Sequence, residues 1–264
     1  MDINAFDEFG FILWYHLPKA YDAYLTGKLR TTSSKIGSSP LFYFSKNHIE
    51  SKQHNNNIFK YSTECYRHNR PEFTLNNWTP PPLKEKYLND TFNFDKPILT
   101  IHNKNTIEWG RGIFNYFNNE VLEELLITFK DKYQIIYIRP PYDNKFNYQK
   151  DENQPYIDIN DNKVLKEYNI LSITDILETN PEYSYNLIQF MILANSDKHI
   201  SPAGDAVIPS YFGGDVLIYN CNNCPSIDRG VWKTNSWLRH LSDANIYGVT
   251  DYNHLITKAK ELWN

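Results

Sequence analysis

The 264-residue sequence is short of the features that define several protein classes. Its three cysteines are too few for a disulfide-stabilised domain. A net charge of -4 argues against a nucleic-acid-binding protein that relies on a broad basic surface. No run of residues approaches the roughly 20 apolar positions of a membrane span, and the N-terminus lacks the basic start of a secretory signal. We therefore expect a cytoplasmic protein with no nucleic-acid partner and no integral membrane segment.

The sequence also lacks the motifs of most nucleotide-dependent and hydrolytic enzymes. No G-x-x-x-x-G-K-[ST] loop and no G-x-S-x-G elbow occur, and Gly110-Arg111-Gly112 lacks the third glycine of a dinucleotide fingerprint. Kinase, P-loop, NAD-dependent and hydrolase functions therefore lose support. No Asp-x-Asp is present either, so the chain has no acidic motif for a metal-bound diphosphate. We expect neither a metal nor a cofactor.

One cysteine pair, Cys221-x-x-Cys224, deserves comparison with known metal and redox motifs. A zinc site needs further ligands at a recognisable spacing, and none is near in sequence. A redox dithiol usually opens a helix directly after a strand. The pair is therefore predicted to be two free thiols in a turn.

What the chain does contain is an apolar share of 41% and an aromatic share of 16%, which are enough for a sizeable core. After Pro80-Pro81-Pro82, short apolar runs alternate with amphipathic stretches. Strands are predicted at 97–101, 134–138, 170–173, 199–201 and 215–219, and helices at 119–131, 185–195, 206–212 and 251–263. This alternation predicts an α/β fold with a parallel sheet and helices on its faces.

The first part of the chain has a weaker pattern. A helix is predicted from Phe11 towards Gly27, and Leu41-Phe42-Tyr43-Phe44 is predicted to be a buried strand. Residues 46–77 are polar and are expected to be irregular. We predict two domains, 1–95 and 96–264, with the boundary at the proline-rich segment.

In an open parallel sheet, ligands bind in the crevice beyond the carboxyl ends of the strands. Lys104 and Arg139 follow two predicted strands and could neutralise a phosphate. Gly204 would let backbone amides approach a ligand at the start of the predicted helix 206–212. The residues expected to line this crevice are Asn103, Lys104, Arg139, Ser201, Gly204, Asp205 and Ala206. The alternative for each is an ordinary polar residue in a loop.

Two stretches carry a resemblance to a known family. Asp7-Glu8-Phe9-Gly10-Phe11-Ile12 resembles the glycine turn that opens the first helix of the acceptor-side domain in GT-B glycosyltransferases. The stretch SYNLIQFMILANSD, followed by a strand and SPAGDAVIPSYFGG, resembles their donor-side half. The likeness is to uncharacterised transferases of surface-polysaccharide gene clusters and of large DNA viruses, and it covers chiefly residues 97–219. It implies two Rossmann-like domains, the first of them short.

The resemblance implies transfer of a sugar from a nucleotide-sugar donor to a glycan acceptor. The donor would bind the second domain, where Lys104 and Arg139 would stabilise the departing diphosphate. Glu8 or Asp7 would be the catalytic base in the cleft, although Glu8 could instead cap the first helix. The acceptor would contact Gly10, Glu108 and Trp109.

Two other expectations bear on this function. His16 is expected to be a packed histidine rather than a base. A carboxylate at Asp205 would repel a diphosphate unless a cation compensates it. That carboxylate and the short first domain leave an alternative function, a non-catalytic glycan- or nucleotide-binding protein on a degenerate GT-B-like fold.

Overall fold

The computed structural model describes residues 1–7, 9–52, 77–104, 106–107, 114–141, 145–148, 156, 158–221 and 237–264. The protein is α/β, with two parallel sheets flanked by helices. Within the described residues, no helix combines the length and the apolar character that a membrane crossing requires.

The first sheet has three parallel strands in the order β1-β2-β3. They are β1 (Asp2–Ala5), β2 (Thr31–Lys35) and β3 (His48–Ser51). A continuous helical stretch connects β1 to β2. It comprises α1 (Phe9–Phe11), a π-helix (Ile12–His16) and α2 (Leu17–Leu25).

The second sheet has six parallel strands in the order β6-β5-β4-β7-β8-β9. They are β4 (Ile98–His102), β5 (Gln134–Ile138), β6 (Leu171–Ser172), β7 (Ser196–Pro202), β8 (Asp215–Tyr219) and β9 (Asn245–Val249). Counted from the first strand of this sheet, the order is 3-2-1-4-5-6, the doubly wound order of the Rossmann fold. The chain reverses its direction of travel across the sheet between β4 and β7, so the switch-point crevice lies at their carboxyl ends.

In the described part of the chain, six α-helices accompany this sheet: one precedes β4, four lie in the crossovers between β4 and β7, and one follows β9. They are α3 (Leu83–Tyr87), α4 (Asn119–Phe129), α5 (Asp161–Glu167), α6 (Ile173–Thr179), α7 (Tyr185–Ala194) and α8 (Tyr252–Trp263). Ser184 caps α7 by accepting a hydrogen bond from the Leu187 amide. Asn118 caps α4 in the same way, through the Val121 amide.

Three segments differ from the sequence prediction. Strand β3, His48–Ser51, lies within residues 46–77, for which the sequence predicts an irregular structure. The apolar run 41–44 lies partly in a 3₁₀ helix, Ser39–Phe42, rather than in a strand. Pro40 explains the difference, because it fixes a helical φ at the start of the turn and cannot donate to a sheet. The predicted helix 206–212 is two separate 3₁₀ turns, Asp205–Val207 and Pro209–Tyr211. Pro209 interrupts the predicted helix, because proline lacks the backbone amide hydrogen that a continuous α-helix would use at this position.

One hydrophobic cluster, the shared core, contains buried residues of both sheets. Ile3 and Leu13 of the first unit belong to it together with Ile136 and Ile218 of the second sheet. A second cluster covers the opposite face of the six-stranded sheet with α4 and α8. The linker between the predicted domains also packs on the second unit, because the ring of Tyr87 in α3 lies 5.5 Å from that of Phe190 in α7. The division at residues 95 and 96 stays a prediction.

Candidate active site

The segments that leave the carboxyl ends of the two sheets contact each other. Tyr211, after β7, donates from its hydroxyl to the Leu13 carbonyl in the π-helix, at 2.5 Å. The Asn186 amide at the start of α7 donates to the Gly37 carbonyl after β2, at 2.7 Å. A Cβ at Gly37 would lie 2.0 Å from the Asn147 carbonyl oxygen, so only glycine fits there. The candidate site lies where these segments meet.

Lys104 and Gly204 flank the switch point of the six-stranded sheet. Lys104 comes two residues after β4 and is buried, and Gly204 comes two residues after β7 with a φ of 105°. The Lys104 ammonium lies 3.7 Å from the position that a Cβ at Gly204 would occupy. Two of the residues predicted to line the donor crevice are therefore adjacent. A buried cation beside a residue without a side chain can hold an anionic ligand.

Asn103 has a structural role in the same loop. Its side-chain oxygen accepts from the backbone amides of Lys104 (2.9 Å) and Phe117 (2.8 Å), and its side-chain nitrogen donates to the Phe117 carbonyl at 2.9 Å. These three bonds tie the two ends of the segment between β4 and α4 together. Asn103 therefore supports the loop that carries Lys104.

The residues after β7 form tight turns rather than a helix with a strong dipole. Ser201 is fully buried and donates to the Pro202 carbonyl at 3.1 Å. Ala206 is also buried, and its carbonyl accepts from the Ser210 hydroxyl at 2.6 Å. The turn Asp205–Val207 has three residues, too few to bind an anion through a helix dipole. The anion-binding argument at this position therefore depends on Lys104.

Arg139 follows β5 and is held by a buried carboxylate. Its Nε donates to Oδ2 of Asp161 at 2.6 Å, and its Nη2 donates to Oδ1 at 3.4 Å. Tyr137 donates to the same Oδ2 at 2.6 Å. The pKa of Tyr137 is raised well above its ordinary value by burial and then by the Asp161 charge, so its hydroxyl stays protonated as a donor. Asp161 lies 22 residues from Arg139 along the chain, so no local sequence pattern indicates this pairing.

The buried Tyr185 and the half-buried Tyr148 interact electrostatically with Asp205. The rings of Tyr148 and Tyr185 contact edge to face with centroids 5.1 Å apart. Burial raises the pKa of both, and the charge of Asp205 raises each further. Both hydroxyl groups therefore stay protonated in the electrostatic field of the Asp205 carboxylate.

Asp7 and His16 form a buried pair at the carboxyl end of β1. Nε2 of His16 lies 2.6 Å from Oδ2 of Asp7, and both side chains are about 95% inaccessible to solvent. His16 ends the π-helix, a rare local structure that often occurs at functional sites. Aromatic rings of Phe11 and Tyr15 pack against the imidazole. The expectation that His16 is packed is met, but the imidazole is also paired with a predicted catalytic residue.

The remaining predicted acceptor and base residues are less informative. Gly10 lies within α1, and a Cβ there would meet no atom within 4 Å, so neither a turn nor a close approach requires glycine. Glu8, Glu108 and Trp109 lie outside the described residues.

Two further features are a groove and a half-buried cysteine. An open groove of about 520 Å³ is lined by residues 88–90, 92–98 and Asn195. Its amides bond to one another and to backbone, as when Asn195 donates to the carbonyls of Asn89 and Phe92. Cys221 is half-buried, its amide donates to the Asn115 side chain at 2.7 Å, and Cys224 lies outside the described residues. Across the part of the chain that the structure describes, no three His, Cys, Asp or Glu side chains form a group that could hold a metal ion.

Comparison with protein-family models, with curated proteins and with solved structures finds no match to this chain. Its function must therefore be inferred from the chemistry of its own residues.

Proposed function

We propose that this chain is a metal-independent glycosyltransferase that moves a sugar from a nucleotide-sugar donor to a glycan acceptor. In this proposal the two sheets are the cores of two Rossmann-like units in a GT-B-like arrangement, the first of them short. One observation carries the proposal. A carboxylate–imidazole pair after β1 and a buried lysine after β4 both lie on segments that leave carboxyl ends, and the segment after β7, the neighbour of β4, contacts the π-helix.

The donor would bind at the switch point between β4 and β7. Lys104 would contact the diphosphate. Gly204, which follows the neighbouring strand β7, has no side chain and would leave room for the diphosphate. A cation is needed there because the nucleoside diphosphate leaves with additional negative charge, and a buried ammonium stabilises that charge more than a solvated one. Asp205, beside neutral tyrosines, would accept hydrogen bonds from sugar hydroxyls.

The acceptor would be activated by His16. In an inverting transfer, a base removes the proton of the acceptor hydroxyl as that oxygen attacks the anomeric carbon. Asp7 bonded to Nε2 orients the ring and stabilises the imidazolium that forms. This pairing supports His16 as the base and Asp7 as its partner, in place of Asp7 or Glu8 acting alone.

A nucleotide-sugar panel tests the proposal. UDP-, GDP- and CMP-linked sugars are titrated into the protein by calorimetry, and release of the nucleotide is followed with and without glycan acceptors. We expect one nucleotide class to bind with affinity independent of EDTA, and an acceptor to stimulate nucleotide release. Failure of all three classes to bind would refute the proposal.

The alternative is a non-catalytic binding protein of the same fold. The Arg139–Asp161 pair favours it, because one of the two predicted phosphate-binding cations already has a carboxylate partner. Such a protein would bind a nucleotide or a glycan in the same titrations and would release no nucleotide from the sugar. Retention of the intact nucleotide sugar with every acceptor tried would favour this alternative.

A further inference from the structure

Asp161 is a fully buried carboxylate whose acceptor positions are in use. It accepts from the Tyr137 hydroxyl, from Nε and Nη2 of Arg139, and from the backbone amide of Asn162 at 3.0 Å. The guanidinium is held along one edge by two bonds to the same carboxylate. It also donates from Nη1 to the Pro140 carbonyl at 3.3 Å. The orientation of the Arg139 head group is therefore fixed.

A buried ion pair of this kind is a poor source of stability. Removing two charges from water offsets most of their attraction, and apolar residues of similar volume are often as stabilising or more so. Tying α5 to β5 would be achieved as well by a leucine and a methionine. The charges at this position therefore call for an explanation other than stability.

The location of the pair provides one. His102 of β4 is in register with Ile138 of β5, and the Asn103 amide donates to the Ile138 carbonyl at 2.9 Å. Arg139 and Lys104 therefore leave neighbouring strands at nearly the same level, on the edge of the sheet where ligands of this fold bind. A guanidinium held in one orientation can recognise phosphate oxygens with little loss of side-chain entropy on binding.

We propose that Asp161, supported by Tyr137, is a positioning residue that holds the Arg139 guanidinium for contact with the phosphates of the nucleotide ligand. This inference rests on the proposed function, since it needs a nucleotide at the switch point. Asp161 itself touches no ligand and acts through Arg139.

The test separates positioning from stability by replacing both charges together. Arg139→Met with Asp161→Leu removes the pair without leaving an unpaired charge, so we expect an unfolding temperature close to that of the parent. Binding of the UDP-, GDP- and CMP-linked sugars, and of inorganic pyrophosphate, is measured by calorimetry. We expect the affinity to fall about 10- to 100-fold, the scale of a hydrogen bond to a charged group.

A matched control comes from the opposite end of the sheet. Lys198 and Asp215 form an ion pair at the starts of β7 and β8, with a 3.8 Å separation. The same exchange, Lys198→Met with Asp215→Leu, removes one charge of each sign far from the carboxyl ends. It should leave nucleotide affinity unchanged, and an equal loss of affinity in this control would overturn the assignment to Asp161.

If the double variant does not fold, a variant that removes a single hydrogen bond tests the positioning role instead. Tyr137→Phe removes one bond to the Asp161 carboxylate and no charge, and we expect a loss of affinity of about threefold or more. Parent-like affinity in a folded Arg139→Met/Asp161→Leu protein, or in Tyr137→Phe, overturns the positioning role and leaves the proposed function standing. A parent protein that binds none of the nucleotide sugars refutes the proposed function, and the role of Asp161 falls with it.

Discussion

Acid should destabilise this protein through a histidine that stays neutral in the fold. His102 ends β4, is buried, and has no hydrogen-bond partner for Nε2 among the described residues. Burial lowers its pKa to about 3. His199 on the neighbouring strand β7 is lowered in the same direction, first by burial and then by the charge of His102.

The size of this destabilisation follows from the difference between the pKa of His102 in the folded protein and in the unfolded chain. In the unfolded chain His102 takes up a proton below a pKa of about 6.5, whereas the folded protein resists protonation until the pH approaches 3. The free energy of unfolding therefore carries no penalty from His102 above pH 6.5, and it decreases as the pH falls from 6.5 towards 3. Each pH unit within that window corresponds to about 1.4 kcal/mol, so His102 alone should lower the free energy of unfolding by about 2.5 kcal/mol at pH 4.5.

Urea unfolding at pH 7 and at pH 4.5 measures this loss. In His102→Leu, which has no titrating group at this position, the decrease between the two pH values should be smaller by about 2.5 kcal/mol. His240 is exposed, so His240→Gln is the matched control. The free energy of unfolding of this variant should fall between the two pH values by as much as that of the parent protein. The reasoning is refuted if His102→Leu loses as much stability on acidification as the parent protein.

Four further outcomes are expected. His16→Gln should lower turnover on the order of 10²-fold with little change in donor affinity, and full activity would exclude it as the base. Lys104→Ala should weaken nucleotide-sugar binding by about 1.5–3 kcal/mol in calorimetry, and unchanged affinity would move the donor site elsewhere. Gly37→Ala should lower the free energy of unfolding by about 1–3 kcal/mol, because its Cβ would meet the Asn147 carbonyl; a parent-like urea midpoint would contradict this. EDTA should leave transfer unchanged, whereas loss of activity that manganese restores would contradict metal independence.

The sequence predicts the fold best where apolar residues form dense runs. The strands Gln134–Ile138 and Asp215–Tyr219 match their predicted bounds because buried parallel strands need β-branched and apolar residues at nearly every position. Strand β2, Thr31–Lys35, has no such signal. It is composed of threonine, serine and lysine, and it pairs between β1 and β3 through backbone bonds that any residue but proline can make.

The site is predictable in its location and less so in its pairings. Lys104 and Gly204 are found together because both follow strands of one parallel sheet, a relation that the order of elements implies. The partners of Arg139 and Asp7 depend on where α5 and the π-helix pack, which no local pattern encodes. The π-helix is itself unforeseen, since its residues fit an α-helical spacing equally well.

The shared core has a consequence for how the chain folds during synthesis. Ile3 and Leu13 are translated well before Ile176, Phe212 and Ile246, which belong to the same cluster. The apolar face of the first sheet therefore has its full set of partners only after β9 has been translated. Contacts so distant in sequence slow folding, and nascent chains that end before β9 would expose apolar surface and aggregate. Release of β9, rather than completion of the first unit, would set the point at which the shared core can close.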